Sequence, residues 1–336
     1  MNSHALAVTL WALSTAVFAD VLWQTNANGE DIHLINLETK AIETVLEVGP
    51  NPHGLAASPD GKIAYVTLER DGEEAGELLW INVTSRQILH RLTIGPEPHQ
   101  LAISHDGRWA YIPCRDGSYW VVDTQSRTVH TRINTGGRPH NTTADTDGHY
   151  IYLSPMGPSA EVTVVSIDDD HSVTGTIQFS DSVRPPALSL DGRYLFQHVD
   201  GLNGFEVAET KARKTIARMK HSTSLGWLLL RPKLLGWFSF EGLKRCHGLA
   251  IRPTVEEVWS VCGNFLVVHA STPPFAELRS TVLPSKGYWL TFDDAGKTGF
   301  IALSDSNQVA FVDASSLDLT HLVSVGTTPK RNAVFP

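Results

Sequence analysis

The chain has 336 residues, 42% hydrophobic and 19% charged, with 36 acidic against 27 basic side chains and a formal net charge of −9. That composition supplies ample apolar surface for a core and excludes disordered, collagen-like and coiled-coil chains. The negative balance argues against nucleic acid as a partner, because phosphate binding requires a basic face.

In chain order, residues 5–18 form an apolar run that ends in Val17-Phe18-Ala19, with small side chains at −3 and −1 before Asp20. This is the pattern of a signal peptide, and the run is too short to span a bilayer comfortably. The expectation is a signal peptide over 1–19 and a mature chain over 20–336, secreted to an extracellular or periplasmic space. No later stretch is long and apolar enough to cross a membrane, so no transmembrane segment is expected in the mature chain.

From residue 49 onward a repeat emerges. Gly49-Pro-Asn-Pro-His53, Gly95-Pro-Glu-Pro-His99 and Gly136-Gly-Arg-Pro-His140 each lead, seven residues after the His, to Asp60-Gly61, Asp106-Gly107 and Asp147-Gly148. Each then reaches a tyrosine at +12: Tyr65, Tyr111 and Tyr152. The frame recurs more faintly from Arg184 (Asp191-Gly192), His247 (Trp259) and Tyr288 (Gly296, Phe300), and restarts at Gly326-Thr-Thr-Pro-Lys330, where the sequence stops. Such a period of about 40 residues is the signature of a repeat architecture.

Each unit reads as four antiparallel strands. The segment from His to Asp is a short apolar strand, Asp-Gly turns a tight hairpin, and the aromatic lies in the returning strand. Third and fourth strands follow, such as residues 79–82 with 88–94 and residues 120–123 with 129–133. Four strands per unit of about 42 residues make one propeller blade. Residues 21–48 hold three strands without a first, and residues 330–336 hold a first strand without the others. The two ends complete one blade, which closes the ring and removes exposed sheet edges. The expected fold is therefore a single all-β domain, a seven-bladed β-propeller.

The Gly-x-x-Pro-His frame, the run Ser58-Pro-Asp-Gly-Lys-Ile-Ala-Tyr-Val-Thr67 and Trp120-Val-Val-Asp-Thr124 resemble the YVTN family of seven-bladed propellers. Propellers of similar pattern include lactonase and muconate-lactonizing types, d1-haem domains, polysaccharide lyases and surface-layer repeats. The resemblance implies a fold and does not choose among these activities.

Because first strands line a propeller's channel, the residues at the His53 position form a ring at its mouth: His53, His99, His140, Arg184, His247, Tyr288 and Lys330. Three readings follow. The ring is structural, with histidines bonding backbone at blade junctions. Or it is an anion site, in which Arg184 and Lys330 hold a carboxylate. His53, His99, His140, His247 and Tyr288 then form the catalytic acid–base pool, suited to β-elimination beside a uronate or to lactone opening and closure. Or it holds a transition metal through His53, His99 and His140, or a haem ligated by one His with its propionates at Arg184 and Lys330. Ring radius stands against a shared ion, and no His-Glu-x-x-His or Cys-x-x-Cys supports one, so neither a metal nor a cofactor is assigned. Serine-hydrolase elbow, Walker and Rossmann motifs do not occur.

Asp145-Thr-Asp-Gly148 reads as a hairpin in preference to a calcium loop, and Asp168-Asp-Asp170 as a solvated turn. Asn82-Val-Thr84 and Asn141-Thr-Thr143 are glycosylation sequons, of which Asn82 is the better acceptor and Asn141 should be hidden. Cys246 and Cys262 fall at facing positions of one hairpin, within reach of a disulfide; Cys114 has no mate. A 63-residue step from Arg184 to His247 contains an insertion over about 222–244 with two Gly-Trp pairs and many leucines, which reads as a channel lid, a protein-partner patch or a segment of doubtful origin. The functional expectation is a propeller that binds, and converts if it is an enzyme, a small anionic or uronate-like molecule or carbohydrate by lyase, lactonase or cycloisomerase chemistry. The alternative is a non-enzymatic interaction scaffold.

Overall fold

The computed structural model describes residues 20–222 and 246–336; the expected signal peptide over 1–19 and nearly all of the 222–244 insertion lie outside the described residues. The described chain builds seven sheets of four antiparallel strands each. The first sheet joins β1 (Val21–Asn26), β2 (Asp31–Asn36) and β3 (Ala41–Glu47) to the last strand, β28 (Pro329–Phe335), in the order β28-β1-β2-β3. Trp23 faces Ala333 and Val21 faces Phe335, so the C-terminal strand does close the ring.

The innermost strands of the other blades are β4 (Pro52–Ala57), β8 (Ala102–Ile103), β12 (Arg138–Ala144), β16 (Val183–Leu188), β20 (Cys246–Ile251) and β24 (Gly287–Phe292). Their returning partners are β5 (Ile63–Leu68), β9 (Trp109–Cys114), β13 (Tyr150–Met156), β17 (Tyr194–Val199), β21 (Glu257–Cys262) and β25 (Thr298–Leu303). The Asp-Gly hairpins form as expected, with Gly61 and Gly107 at φ 68° and 75°, where a side chain would be strained.

The core lies between blades. Trp23, Ile32 and Leu34 of the first sheet pack against Leu55, Val66, Leu79 and Ile81 of the second. Middle strands are thus buried on both faces, whereas the outer β3 alternates exposed and half-buried residues. This gradient follows from face-to-face packing of twisted sheets around an axis.

One first strand is shorter than the sequence suggests. In the third blade regular pairing covers only Ala102–Ile103, although the repeat places the strand from His99. Pro113 of β9 accepts a hydrogen bond from His99 N at 3.0 Å but has no N–H to return. Thr67 Oγ1 instead supplies the donor to His99 O at 3.0 Å, and Gln100 N turns away to His140 O at 3.2 Å in the next blade.

Candidate functional site at the channel mouth

The ring residues owe their inward aim to β-bulges. Along β12, Pro139 faces Pro155 and Asn141 faces Ser154, which leaves His140 unpaired. Along β20 and β24, His247 and Tyr288 are skipped in the same way. Registers also slip between Pro52 and Leu55 and opposite Gln24–Asn26, around His53 and Lys330–Arg331. A bulge inserts one residue and re-aims its side chain, and here it points into the channel. Second-strand threonines fix the bulges. Thr67 Oγ1 accepts from Gly54 N at 2.8 Å and donates to His99 O of the next blade at 3.0 Å. Thr25 repeats the device with Arg331 N at 3.0 Å and His53 O at 2.9 Å.

Six of the seven ring residues form one packed cluster. His53 and His99 have ring centroids 4.5 Å apart, His99 and His140 4.4 Å, and His140 and His247 5.4 Å. His247 stacks on Tyr288 at 3.8 Å, and its Nδ1 donates to Tyr288 O at 3.0 Å. Tyr288 OH lies 3.3 Å from His53 Nε2, which brings together residues 235 apart in sequence. The Lys330 ammonium sits 3.9 Å from the centre of the Tyr288 ring, a cation–π contact. Arg184 is set apart from this cluster: Asp200 takes its Nε–H at 2.5 Å and Met156 Sδ lies 3.1 Å from Nη1.

Two sets of site residues escaped sequence reasoning. The first stands sixteen residues after a ring member, at the end of the returning strand, and pairs with that member. Glu69 Oε1 accepts from His53 Nδ1 at 2.6 Å and lies 3.0 Å from His99 Nδ1. Arg115 Nη2 donates to His99 Nε2 at 2.8 Å. Asp200 bears the same relation to Arg184. The repeat frame was signal enough to find them, as polar residues at a fixed offset from the ring. The second set is one residue, Arg331, beside Lys330. It is fully buried, stacks on Trp289 at 3.6 Å and donates to Asn141 Oδ1 at 2.7 Å. Asn141 belongs to the fourth blade and Arg331 to the first, so this side chain spans the channel beneath the ring.

Charge is distributed unevenly here. Burial pushes His53 down to about 3, against an opposing pull from Glu69. Burial, then neighbouring His99 and His247, drives His140 well below its ordinary value, and burial followed by Arg331 does the same to His247. Burial acts to raise the Glu69 carboxyl, but His53 and His99 together hold it well below the carboxylate range. Burial raises Tyr288 to about 12. It also lowers Lys330, and brings Arg331 down to about 10. At neutral pH the cluster therefore holds neutral imidazoles at 53, 140 and 247, one carboxylate, and the cations Arg115, Lys330 and Arg331. Among the described residues Arg331 Nε and Nη1 have no hydrogen-bond partner and no carboxylate is in direct contact with the group, although the Glu69 carboxylate acts on it through space. A buried guanidinium without a direct carboxylate partner is expensive.

Ring radius proves no obstacle to a shared metal, since nitrogens of His53, His99 and His140 lie within 4.8 Å of one another. The donor set is the obstacle. Both His99 nitrogens are engaged, Nδ1 with Glu97 O at 2.8 Å and Nε2 with Arg115. His140 Nδ1 faces the Asn141 amide at 2.6 Å, and a dication would sit among three cations. A haem fares no better, because of the two expected propionate partners Arg184 is paired with Asp200 and Lys330 lies against the Tyr288 ring. These residues fit an anion better than a metal or haem.

The remaining candidates fall elsewhere. Cys246 and Cys262 are directly opposed across β20 and β21 and joined by a disulfide, while Cys114 is a buried free thiol. Asn82 ends the third strand of its blade and caps the following turn through Ser85 N at 2.7 Å. Asn141 is 1% exposed and serves Arg331.

No protein-family model matches the sequence, and no curated protein matches it. Solved structures do match. Hydrazine synthase of Kuenenia stuttgartiensis aligns with a TM-score of 0.71 and 17% identity over 92% of this chain and 100% of its own. A putative 6-phosphogluconolactonase of Bacteroides uniformis gives 0.74 and 15% over 94% and 98%. The dihydro-heme d1 dehydrogenase NirN, in complex with DHE, gives 0.65 and 14% over 90% of this chain and 63% of its own. At such identities the likeness shows the fold: this chain is an all-β, seven-bladed propeller.

Proposed function

We propose that the channel mouth binds a small sugar acid or its lactone and interconverts them by acid–base chemistry. One observation carries this reading: Arg331, buried and without a direct carboxylate partner among the described residues, leaves Nε and Nη1 free close to Lys330. A carboxylate, or the oxyanion formed as water attacks a lactone carbonyl, supplies the missing charge, and both are favoured by fixed cations in a dry site. Glu69, His53 and Tyr288 form the proton relay. Glu69 accepts from His53 Nδ1, which fixes the tautomer and leaves Nε2 as an acceptor facing the Tyr288 hydroxyl or a water in its place. The lactonase-named propeller among the structural neighbours supports the choice of lactones, and the YVTN-like repeat is consistent with it. The apolar leader and the Cys246–Cys262 disulfide support export to an oxidising compartment.

The test is thermal stabilisation of the purified chain by gluconate, galacturonate and gluconolactone, with methyl esters as neutral controls. A ligand at a hundred times its Kd stabilises by about 2.7 kcal/mol. The acids should raise the melting temperature, their methyl esters should not, and Arg331→Met should abolish the shift. If no acid or lactone stabilises the wild-type protein, the reading fails and the propeller is a scaffold.

A further inference from the structure

Donor groups and charge that are wrong for a metal in the ring are right for one at another cluster. On the flank of the molecule, His130 of the outer strand β11 (Thr128–Asn134) meets Asp170 and His171, which form the turn between β14 (Glu161–Ser166) and β15 (Ser172–Gln178) of the next blade. One donor atom from each of the three lies within 4.8 Å of the others. His130 Nε2 and Asp170 Oδ1 are 3.1 Å apart. Asp170 and His171 both sit in the left-handed region, at φ 44° and 60°, which turns two consecutive side chains onto the neighbouring blade.

His171 is prepared as a ligand. It is 5% exposed, and its Nδ1 is held at 2.6 Å by the hydroxyl of the fully buried Tyr111, which leaves Nε2 without a partner among the described residues. Metal-bound imidazoles characteristically have their second nitrogen anchored in this way. Trp109 packs against both imidazoles, with centroids at 4.9 Å from His130 and 4.5 Å from His171, and restricts their rotation. The local charge is opposite in sign to that of the ring. Asp168 and Asp169 adjoin Asp170 in sequence, while the nearby Arg108 is engaged by Asp123 at 3.2 Å and by the Trp109 face.

We infer that His130, Asp170 and His171 form a binding site for a borderline divalent transition ion, zinc foremost, that clips the third blade to the fourth. Two imidazoles and one carboxylate suit zinc, nickel or copper and are a poor set for calcium or magnesium. Tetrahedral zinc at its usual bond lengths holds ligand atoms about 3.4 Å apart. The cluster therefore closes by about 1.4 Å at most, through His130 and Asp170, whose side chains are 38% and 88% exposed. Water fills the fourth position, and His130 binds the ion through Nε2 in the neutral tautomer that carries its hydrogen on Nδ1. This inference is independent of the ring's ligand.

Isothermal titration of the untagged full chain with Zn²⁺ and Ni²⁺ tests it. One ion per chain is expected, with binding abolished by His130→Ala and weakened about ten-fold or more by Asp170→Asn and by Tyr111→Phe, the latter through the orientation of His171 alone. His99→Gln should leave the affinity unchanged. Zn²⁺ should also raise the melting temperature of the wild type and not of His130→Ala. Absence of zinc binding at micromolar concentration overturns the inference, as does binding that survives His130→Ala but is lost in His99→Gln, which would return the ion to the ring.

Discussion

Mild acid should unfold this propeller, and the buried histidines set the size of the effect. His53 and His198 are each pushed down to about 3, burial being the largest cause in both; Glu69 opposes it at His53 and Arg184 adds to it at His198. An imidazole in the unfolded chain takes its proton near pH 6.5. Between that value and 3 the unfolded state therefore binds more protons than the folded one, and stability falls as the pH drops. Each group removes about 1.4 kcal/mol per pH unit, so the pair removes about 5 kcal/mol between pH 6.5 and 4.5. That is the scale of a whole domain's net stability. Glu69 does not blur this window, because its carboxyl is held well below the usual range and its contribution is lost only at lower pH. The assay is urea unfolding at pH 7.0, 5.5 and 4.5 for the wild type and His198→Gln. His198 Nε2 meets Ser260 Oγ at 2.8 Å, a contact the glutamine amide can replace. The variant should lose about 1.4 kcal/mol per pH unit of the wild-type dependence. Equal slopes for the two proteins would refute a buried neutral His198.

Three further outcomes are expected. Thr67→Val unpairs both Gly54 N and His99 O, and should destabilise by about 1–3 kcal/mol in urea unfolding at neutral pH while loosening two adjacent ring positions. Reduction of the Cys246–Cys262 disulfide, which closes a separation of 16 residues, should remove about 3 kcal/mol in urea unfolding with and without dithiothreitol; an unchanged midpoint would mean that the reduced hairpin is equally constrained. Glu69→Gln and Tyr288→Phe interrupt the relay at its two ends, and each should slow lactone opening by about a hundred-fold or more in a pH-stat assay. Loss from Glu69→Gln without loss from Tyr288→Phe would confine the chemistry to His53.

The repeat made most of the architecture legible. A glycine–proline start, an Asp-Gly turn and an aromatic at fixed offsets are local signals, and the phase they establish determines blade number, strand order, the closing strand and which residues face the axis. The exception in the third blade had a visible cause, since Pro113 carries no N–H, but its consequence depended on where the neighbouring Thr67 hydroxyl lay. Sequence phase could name the seven ring residues; it could not say how they meet. Tyr288 reaches His53 past an intervening blade, Arg331 crosses the channel to Asn141, and Arg184 turns aside to Asp200. These contacts depend on side-chain length and rotamer across an axis where all seven blades converge, and strand periodicity contains no information about distances between strands so remote in sequence. The order of the blades was written locally, whereas the pairing of charges at their centre was decided only when the ring closed.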